Sequence, residues 1–312
     1  MPELPEVETA RRNIGRDVVG RRLDAVTVRL PKLLRDSPIP DPGVLVGREL
    51  LAAHRRAKLL WLDFSDGLSL MMHLKLAGQI AIFRPDGTRA VAGHPVPAPA
   101  GPYPHKVTHA DLLFTGGTLV HYSDVRQFGW WRIMPTEDIA GTVAGFGFGP
   151  EAVGDATVTG PWLRERFARR GVPVKTVLLD QRVLAGLGNI YVDEALHAAG
   201  IHPARPAASL AGPELDRLAE TIPGSLAWGI AQGGAKIIHQ RAYPVDGFPA
   251  VHAREGEPCP ACGTAITKTR VGGRGTYLCP TCQPGASAVP AIGPSRESGD
   301  EISGKPGDRQ AG

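Results

Sequence analysis

The sequence predicts an α+β chain of several domains. An antiparallel β region with a leading helix, most simply a sandwich or a barrel, precedes a helical region and a metal-carrying β-hairpin. Three observations predict this. The first 135 residues hold alternating apolar stretches separated by Asp-Gly and Gly-Gly turns. After a glycine-rich stretch the apolar spacing becomes helical. All four cysteines fall in one 24-residue window near the end.

The elements follow in order. In MPELPEVETARR, Pro5 starts a helix, Glu6 and Glu8 favour its positive end, and Val7, Ala10 and Ile14 line its buried face. LDAVTVRL at 23–30 alternates like a half-buried strand. LLWLDF and LSLMMHL form two strands around an Asp66-Gly67 turn, and ADLLF and TLVHY repeat the pattern around Gly116-Gly117. Residues 84–108, rich in Pro and Gly, predict a long loop. Residues 139–160 contain six glycines and read as the linker. PWLRERFARR, TVLLDQRVLAG, NIYVDEALHAAG and GPELDRLAETIPGSLAWGIAQ are helical by spacing, with Gly or Pro at their ends. Residues 236–258 carry no clear pattern. The stretch from 284 is small, polar and rich in Pro and Gly, a composition that predicts disorder. No internal repeat is visible.

The bulk properties narrow the function. The chain has 312 residues, 42% hydrophobic, with 39 Gly and 29 Pro, which suits two domains and a small appendage rich in turns. The formal charge is +4. Residues 283–312 carry three positive against four negative side chains, so the basic excess lies in the body and suits a polyanionic partner. No apolar run is long enough to span a membrane, and no apolar signal core opens the chain. The expected location is the cytoplasm or the nucleoid.

CPACGTAITKTRVGGRGTYLCPTC supplies Cys259, Cys262, Cys279 and Cys282, two Cys-x-x-Cys pairs separated by sixteen residues. This spacing fits a four-thiolate zinc site whose ion joins the feet of a hairpin turning at Gly272-Gly273. With all four positions filled by protein, the expected Zn2+ is structural, one per chain, and no catalytic metal is implied. Lys268, Arg270 and Arg274 give the hairpin a cationic tip suited to nucleic acid.

Two further stretches carry chemistry. When Met1 is removed, Pro2 becomes a secondary amine at the chain terminus. An α-amine has a pKa near ~8, so a fraction is a neutral nucleophile at pH 7, with Glu3 and Glu6 close enough to move protons. This reading and the plain helix start are compatible. In LAGLGNIYVDEALHAAG, Gly186 and Gly188 end one helix, Asn189 caps the next, Gly200 stops it, and Tyr191, Ala195 and Ala198 share a face. Free amides at that helix start would form an anion site for a DNA phosphate.

Taken together, PELPEVE, RRAK at 55–58, HLKLAG at 73–78, SDVRQFG at 123–129, GLGNIYVDEAL at 186–196 and the cysteine hairpin resemble the bacterial formamidopyrimidine-DNA glycosylases, in the superfamily shared with endonuclease VIII. The resemblance covers about residues 1–283. It implies a β-sandwich over 1–138, a linker over 139–154, a helix–two-turns–helix domain over 155–250, a zinc finger over 251–283 and a tail over 284–312. It also implies a base-excision-repair enzyme, acting as a monomer on double-stranded DNA with oxidised purines or abasic sites. Pro2 would attack the anomeric carbon of a flipped-out nucleotide, and the resulting iminium would permit β- and then δ-elimination. Glu3 would shuttle protons, Glu6 would support the site, and Lys58 would place a cation near the lesion and phosphate. Asn189, Arg274 and Lys175 match phosphate-gripping residues. Arg126 and Phe128 match residues that fill the gap in the duplex, and Leu76 stands where the family often has a Met wedge.

One departure bears on specificity. AKIIHQRAYPVDGFPAV at 235–251 replaces a Thr-rich, Asp-containing, aromatic-tipped segment that covers a flipped 8-oxoguanine in the family. The expectation is a changed base preference, toward FapyG over 8-oxoguanine or toward acceptance of pyrimidine lesions. Two rival readings are an endonuclease VIII-like glycosylase for oxidised pyrimidines and a non-catalytic zinc-finger protein that binds damage. The PELPEVE start disfavours the first, and the Pro2-Glu3 pair with Lys58 disfavours the second.

Overall fold

The computed structural model describes residues 2–95, 102–238 and 241–285. Helix α1 (Leu4–Asp17) opens the chain, with Pro5 in its first turn. Glu6 Oε2 accepts the Glu3 amide at 2.8 Å and so satisfies one donor of the helix start. Nine antiparallel strands follow: β1 (Leu23–Val28), β2 (Leu50–Arg56), β3 (Leu59–Phe64), β4 (Leu68–His73), β5 (Gly78–Phe83), β6 (Arg89–Gly93), β7 (Thr108–Phe114), β8 (Thr118–Asp124) and β9 (Trp130–Pro135). They form a five-stranded sheet in the order β1-β7-β8-β5-β6 and a four-stranded sheet in the order β2-β3-β4-β9.

Both expected turns pair their strands. Leu62 lies opposite Leu70, and Leu112 opposite Val120. The alternating apolar residues of the two sheets meet in one core with Val7, Ala10 and Ile14 of α1, so the β region is a sandwich. The stretch expected as a long loop contributes a fifth strand, because Arg89–Gly93 pairs along β5.

Beyond the sandwich, α2 (Asp138–Ala144) is a short helix inside the stretch read as linker. Then come α3 (Gly160–Phe167), α4 (Val174–Leu179), α5 (Asn189–Ala198) and α6 (Gly212–Ala231). These helices bury a second core around Phe167, Leu178, Tyr191, Leu196 and Leu218. The helix expected over TVLLDQRVLAG stops at Leu179. There the Asp180 carboxylate accepts the Arg182 amide at 3.0 Å, a local turn that competes with the helix. Of the face formed by Tyr191, Ala195 and Ala198, the first two are buried and Ala198, at the end of α5, is exposed.

Leu4 packs in this second core while Val7 packs in the first, so the first turn of α1 sits where the two bodies meet. Two short strands, β10 (Ile237–Ile238) and β11 (Arg241–Ala242), lead to the hairpin of β12 (Thr267–Val271) and β13 (Arg274–Leu278). Gly272 and Gly273 both have positive φ, which the two-residue turn requires. The tail expected to be disordered lies outside the described residues from 286 onward. Among the described residues, no helix is long and apolar enough to cross a membrane.

Candidate active site between the sandwich and the helical domain

A cleft of about 720 Å³ opens where the two bodies and the hairpin meet. Pro2, Glu3, Glu6, Leu76, Arg126, Asn189 and Arg274 all line it, so seven of the residues singled out in the sequence share one space. Pro2 is buried at the head of α1.

Glu3 is 0% exposed and reaches across to helix α5. Its Oε1 accepts the Ile190 amide at 2.9 Å and its Oε2 the Tyr191 amide at 3.4 Å. The anion at this helix N-terminus is therefore a carboxylate of the chain, where the sequence suggested a DNA phosphate. Asn189 also departs from the expected cap: Gly188 occupies the cap position and Asn189 the first helical one. Gly188 is required by the close approach, because a Cβ there would stand 2.3 Å from Glu3 Cδ.

Glu6 lies deeper. Its Oε1 accepts the Tyr191 hydroxyl at 2.7 Å and the Ala235 amide at 3.0 Å. Burial, reinforced by the neighbouring Glu3, raises its pKa above the ordinary carboxylate value in spite of these bonds. This carboxyl is thus bonded to the backbone of Glu3, beside Pro2.

Lys58 stands between β2 and β3, after Ala57 with φ +53°. Its Nζ donates to the Leu187 carbonyl at 2.6 Å, across the boundary between the two bodies. Burial lowers the Lys58 pKa, while Glu3 and Glu6 oppose that shift. His73 lies nearby, and its Nδ1 accepts the Lys75 amide at 2.8 Å. Burial first, and then Lys75 and Lys58, push its pKa down to about 3, so its imidazole is neutral at pH 7. The HLKLAG motif contained this histidine, but the ring's surroundings come only from folding.

The expected DNA-facing side chains divide into two groups. Phe128 is 53% exposed and Leu76 37%, so both side chains are free to meet a ligand. The Arg126 guanidinium lies 5.6 Å from the Phe128 ring centroid. Buried Asp124 holds their loop, accepting the Arg126 amide at 3.0 Å and the Gly129 amide at 2.8 Å. Arg274 is exposed at the start of β13.

Lys175 differs from expectation. It is 0% exposed, and its ammonium donates to Asp193 Oδ1 at 2.6 Å, Thr276 Oγ1 at 2.9 Å and the Gly275 carbonyl at 3.1 Å. All three ammonium protons have protein acceptors, so Lys175 fastens α4 to α5 and the hairpin and has none left for a phosphate. The Asn189 amide nitrogen also donates to Gly275, at 2.8 Å.

The four cysteine sulfurs lie within 4.8 Å of one another. The Cys259–Cys282 and Cys262–Cys279 sulfur distances are 3.9 and 3.4 Å, bracketing the ~3.8 Å edge of a tetrahedron with Zn–S bonds of about 2.3 Å. The donor set fits one structural Zn2+ with no open position. His197 Nε2 lies 3.3 Å from Cys259 Sγ and ties the end of α5 to this centre.

Comparison with known proteins agrees with this architecture. Residues 1–131 match the formamidopyrimidine-DNA glycosylase N-terminal domain, 148–240 the H2TH domain of the same enzymes, and 256–285 the zinc finger found in FPG and IleRS. A formamidopyrimidine-DNA glycosylase of Methylococcus capsulatus is 39% identical over 290 residues, covering 91% of this chain and all of that one. The Lactococcus lactis Fpg bound to DNA containing an abasic site superposes with a TM-score of 0.77 at 30% identity, over 91% of this chain and 100% of that one. A MutM complex with DNA containing carbocyclic 8-oxo-G gives 0.76 at 32% identity, over the same shares. With the cleft, the capped helix and the four-thiolate hairpin in one chain, these matches lead to one conclusion: the protein belongs to the formamidopyrimidine-DNA glycosylase family.

Proposed function

We propose that this chain is a bifunctional DNA glycosylase and abasic-site lyase that removes oxidised purines, FapyG and 8-oxoguanine, from duplex DNA. The observation that carries the reading is the convergence of Pro2, Glu3 and Glu6 in a cleft whose walls also present Arg126, Asn189 and Arg274. An apolar or neutral ligand has no use for that cationic wall, whereas a phosphodiester does.

In this reading the Pro2 nitrogen, freed by removal of Met1, forms a bond to C1′ of the flipped nucleotide as the base leaves with the bonding electrons. The nitrogen gives up its proton and its lone pair then breaks the C1′–O4′ bond, O4′ taking a proton, so the sugar ring opens to the iminium. Glu3 moves protons between the sugar, the leaving base and the solvent. Glu6 supports the site by accepting the Glu3 amide, which holds the chain at Pro2 and Glu3 in place. Lys58 adds a cation near the departing phosphate. Loss of a C2′ proton from the iminium then releases the 3′ phosphate, and a second elimination releases the 5′ phosphate. Arg126 and Phe128 occupy the space that the extruded nucleotide leaves, with Leu76 as a shorter wedge. Asn189 and Arg274 hold the backbone on either side. The Zn2+ keeps the hairpin folded. The protein acts as a monomer on the bacterial chromosome in the cytoplasm.

Ala235, Ile237 and Ile238 line the cleft from the segment that departs from the family pattern. This supports a base preference tuned by an apolar surface in place of a polar cover. The direct test of the proposed function is incubation of the purified protein with a duplex bearing one 8-oxoguanine opposite cytosine. Release of the free damaged base together with a one-nucleotide gap is expected. An intact strand and no free base on 8-oxoguanine, FapyG and abasic duplexes alike would overturn the reading.

A further inference from the structure

RRAK at 55–58 holds two arginines that the chemistry at Pro2 does not use. Both turn away from the cleft toward Glu151, in the stretch read as linker. Arg55 grips the Glu151 carboxylate with two nitrogens, Nη1 to Oε1 at 2.7 Å and Nη2 to Oε2 at 3.0 Å. These side chains are only 10% and 18% exposed. Arg56 Nη1 lies 3.1 Å from the same Oε1, and its Nη2 donates to the Gly149 carbonyl. Oε1 also accepts the amide of Ala57, the buried residue of the turn that has φ +53°. The next residue is Lys58.

The backbone around Glu151 grips a second segment. Glu151 forms a parallel bridge with Ala185. The Ala152 amide donates to the Ala185 carbonyl at 3.0 Å, and the Ala185 amide to the Pro150 carbonyl at 2.8 Å. Two residues further on is Leu187, whose carbonyl accepts Lys58 Nζ at 2.6 Å. Gln181 steadies that loop, donating to the same carbonyl at 2.8 Å and accepting the Gly186 amide at 3.0 Å.

We propose that Glu151 is a positioning residue for Lys58: its carboxylate seats the turn that carries the lysine, and its backbone seats the loop whose carbonyl receives the ammonium. One residue of the linker thereby fixes both ends of the contact between the two bodies. Among the described residues, Leu187 is the one acceptor of Lys58 Nζ, so two of its three N–H groups remain for a phosphate. The bond to Leu187 sets where those two point. Lys175 is the contrast, with all three protons spent on protein. Without the Glu151 carboxylate, Arg55 and Arg56 lose their shared anion and the Ala57 amide its acceptor, and the turn is free to shift. A displacement of about 1 Å at a reacting group costs on the order of 10²-fold in rate.

This inference rests on the glycosylase and lyase reading, in which Pro2 and Glu3 release the base and Lys58 serves the departing phosphate. The test is a single-turnover time course of the zinc-loaded full chain on a duplex with 8-oxoguanine opposite cytosine, following free base and strand cleavage separately. In Glu151→Gln, base release is expected within about 3-fold of the unaltered protein, and strand cleavage about 10–100-fold slower. In a Lys58→Ala background, Glu151→Gln is expected to slow cleavage by less than about 2-fold further, because the two residues act as one unit. Glu151→Asp keeps the charge but ends one methylene short, and it is read by the same ratio if Glu151→Gln does not fold. Equal slowing of both steps would make Glu151 a general structural residue and overturn the inference. Unchanged cleavage, or full additive slowing in the Lys58→Ala background, would also overturn it. No free base from the unaltered protein would instead remove the glycosylase reading, and this inference with it.

Discussion

Glu3 Oε1 accepts a hydrogen bond from the Ile190 amide at 2.9 Å, and these two residues belong to different bodies. One sits at the head of the helix that packs against the sandwich, and the other opens the central helix of the second domain. The residue after the proposed nucleophile is thus positioned by the far wall of the cleft. The site is complete only where the two bodies meet.

Gly188 tests that relationship. A methyl group there would stand 2.3 Å from Glu3 Cδ, so Gly188→Ala must displace the carboxylate. Base excision is expected to fall by about 10²-fold or more, comparable to losing a positioned acid–base group. Duplex binding should stay within a few-fold. Single-turnover excision beside a binding titration checks this; an unchanged excision rate would show that the Glu3 position does not matter.

Glu8 gives a prediction about acid stability. Burial alone would raise its carboxyl, but bonds from Arg11, Arg12 and Arg55 outweigh that and bring it down to about 2. A depressed carboxyl stabilises the fold above its unfolded value, and the contribution is lost as pH falls through the folded value. Glu8 is buried but its partners Arg11 and Arg12 reach solvent, so solvent screening reduces the effect to about 1–2 kcal/mol. The difference in denaturant midpoint between the unaltered protein and Glu8→Gln should be full at pH 7 and shrink between about pH 4.5 and pH 2. A difference independent of pH would contradict this.

Lys175 separates a structural role from a DNA contact. Removing one partner of a buried ion pair leaves Asp193 uncompensated, at a cost of about 3–5 kcal/mol. Lys175→Ala should therefore lower the denaturant midpoint sharply. A phosphate-contacting lysine would leave stability unchanged and instead reduce the salt dependence of duplex binding by about one unit of slope. The two measurements on one variant distinguish the roles.

The segment from Ala235 to Val251 sets the expectation for substrate ranking. Excision of FapyG is expected to be faster than that of 8-oxoguanine when both are placed opposite cytosine in otherwise identical duplexes. Parallel single-turnover rates decide it. Equal and fast excision would mean that the altered segment carries no preference.

Local chemistry was legible in the sequence, and long-range partnership was not. The strands around Asp66-Gly67 and Gly116-Gly117, the face of α1 and the cysteine hairpin each follow from patterns a few residues long. The strand Arg89–Gly93 was hidden because its pairing partner, not its own composition, makes it a strand. At the site, Pro2, Glu3 and Lys58 were found through motifs. That Glu3 caps α5, that Tyr191 reaches Glu6 across 185 positions of sequence, and that Lys175 is buried under Thr276 are contacts that only the folded chain creates.

The central claim is that the amine of Pro2 is the nucleophile. Borohydride trapping tests it most directly, on duplexes carrying 8-oxoguanine opposite cytosine or an abasic site, with mass spectrometry showing that Met1 has been removed and Pro2→Gly as the comparison. The account predicts a covalent protein–DNA adduct on both duplexes, mapped to residue 2 and reduced or lost in the variant. No adduct on either duplex, from protein that begins at Pro2, would contradict it.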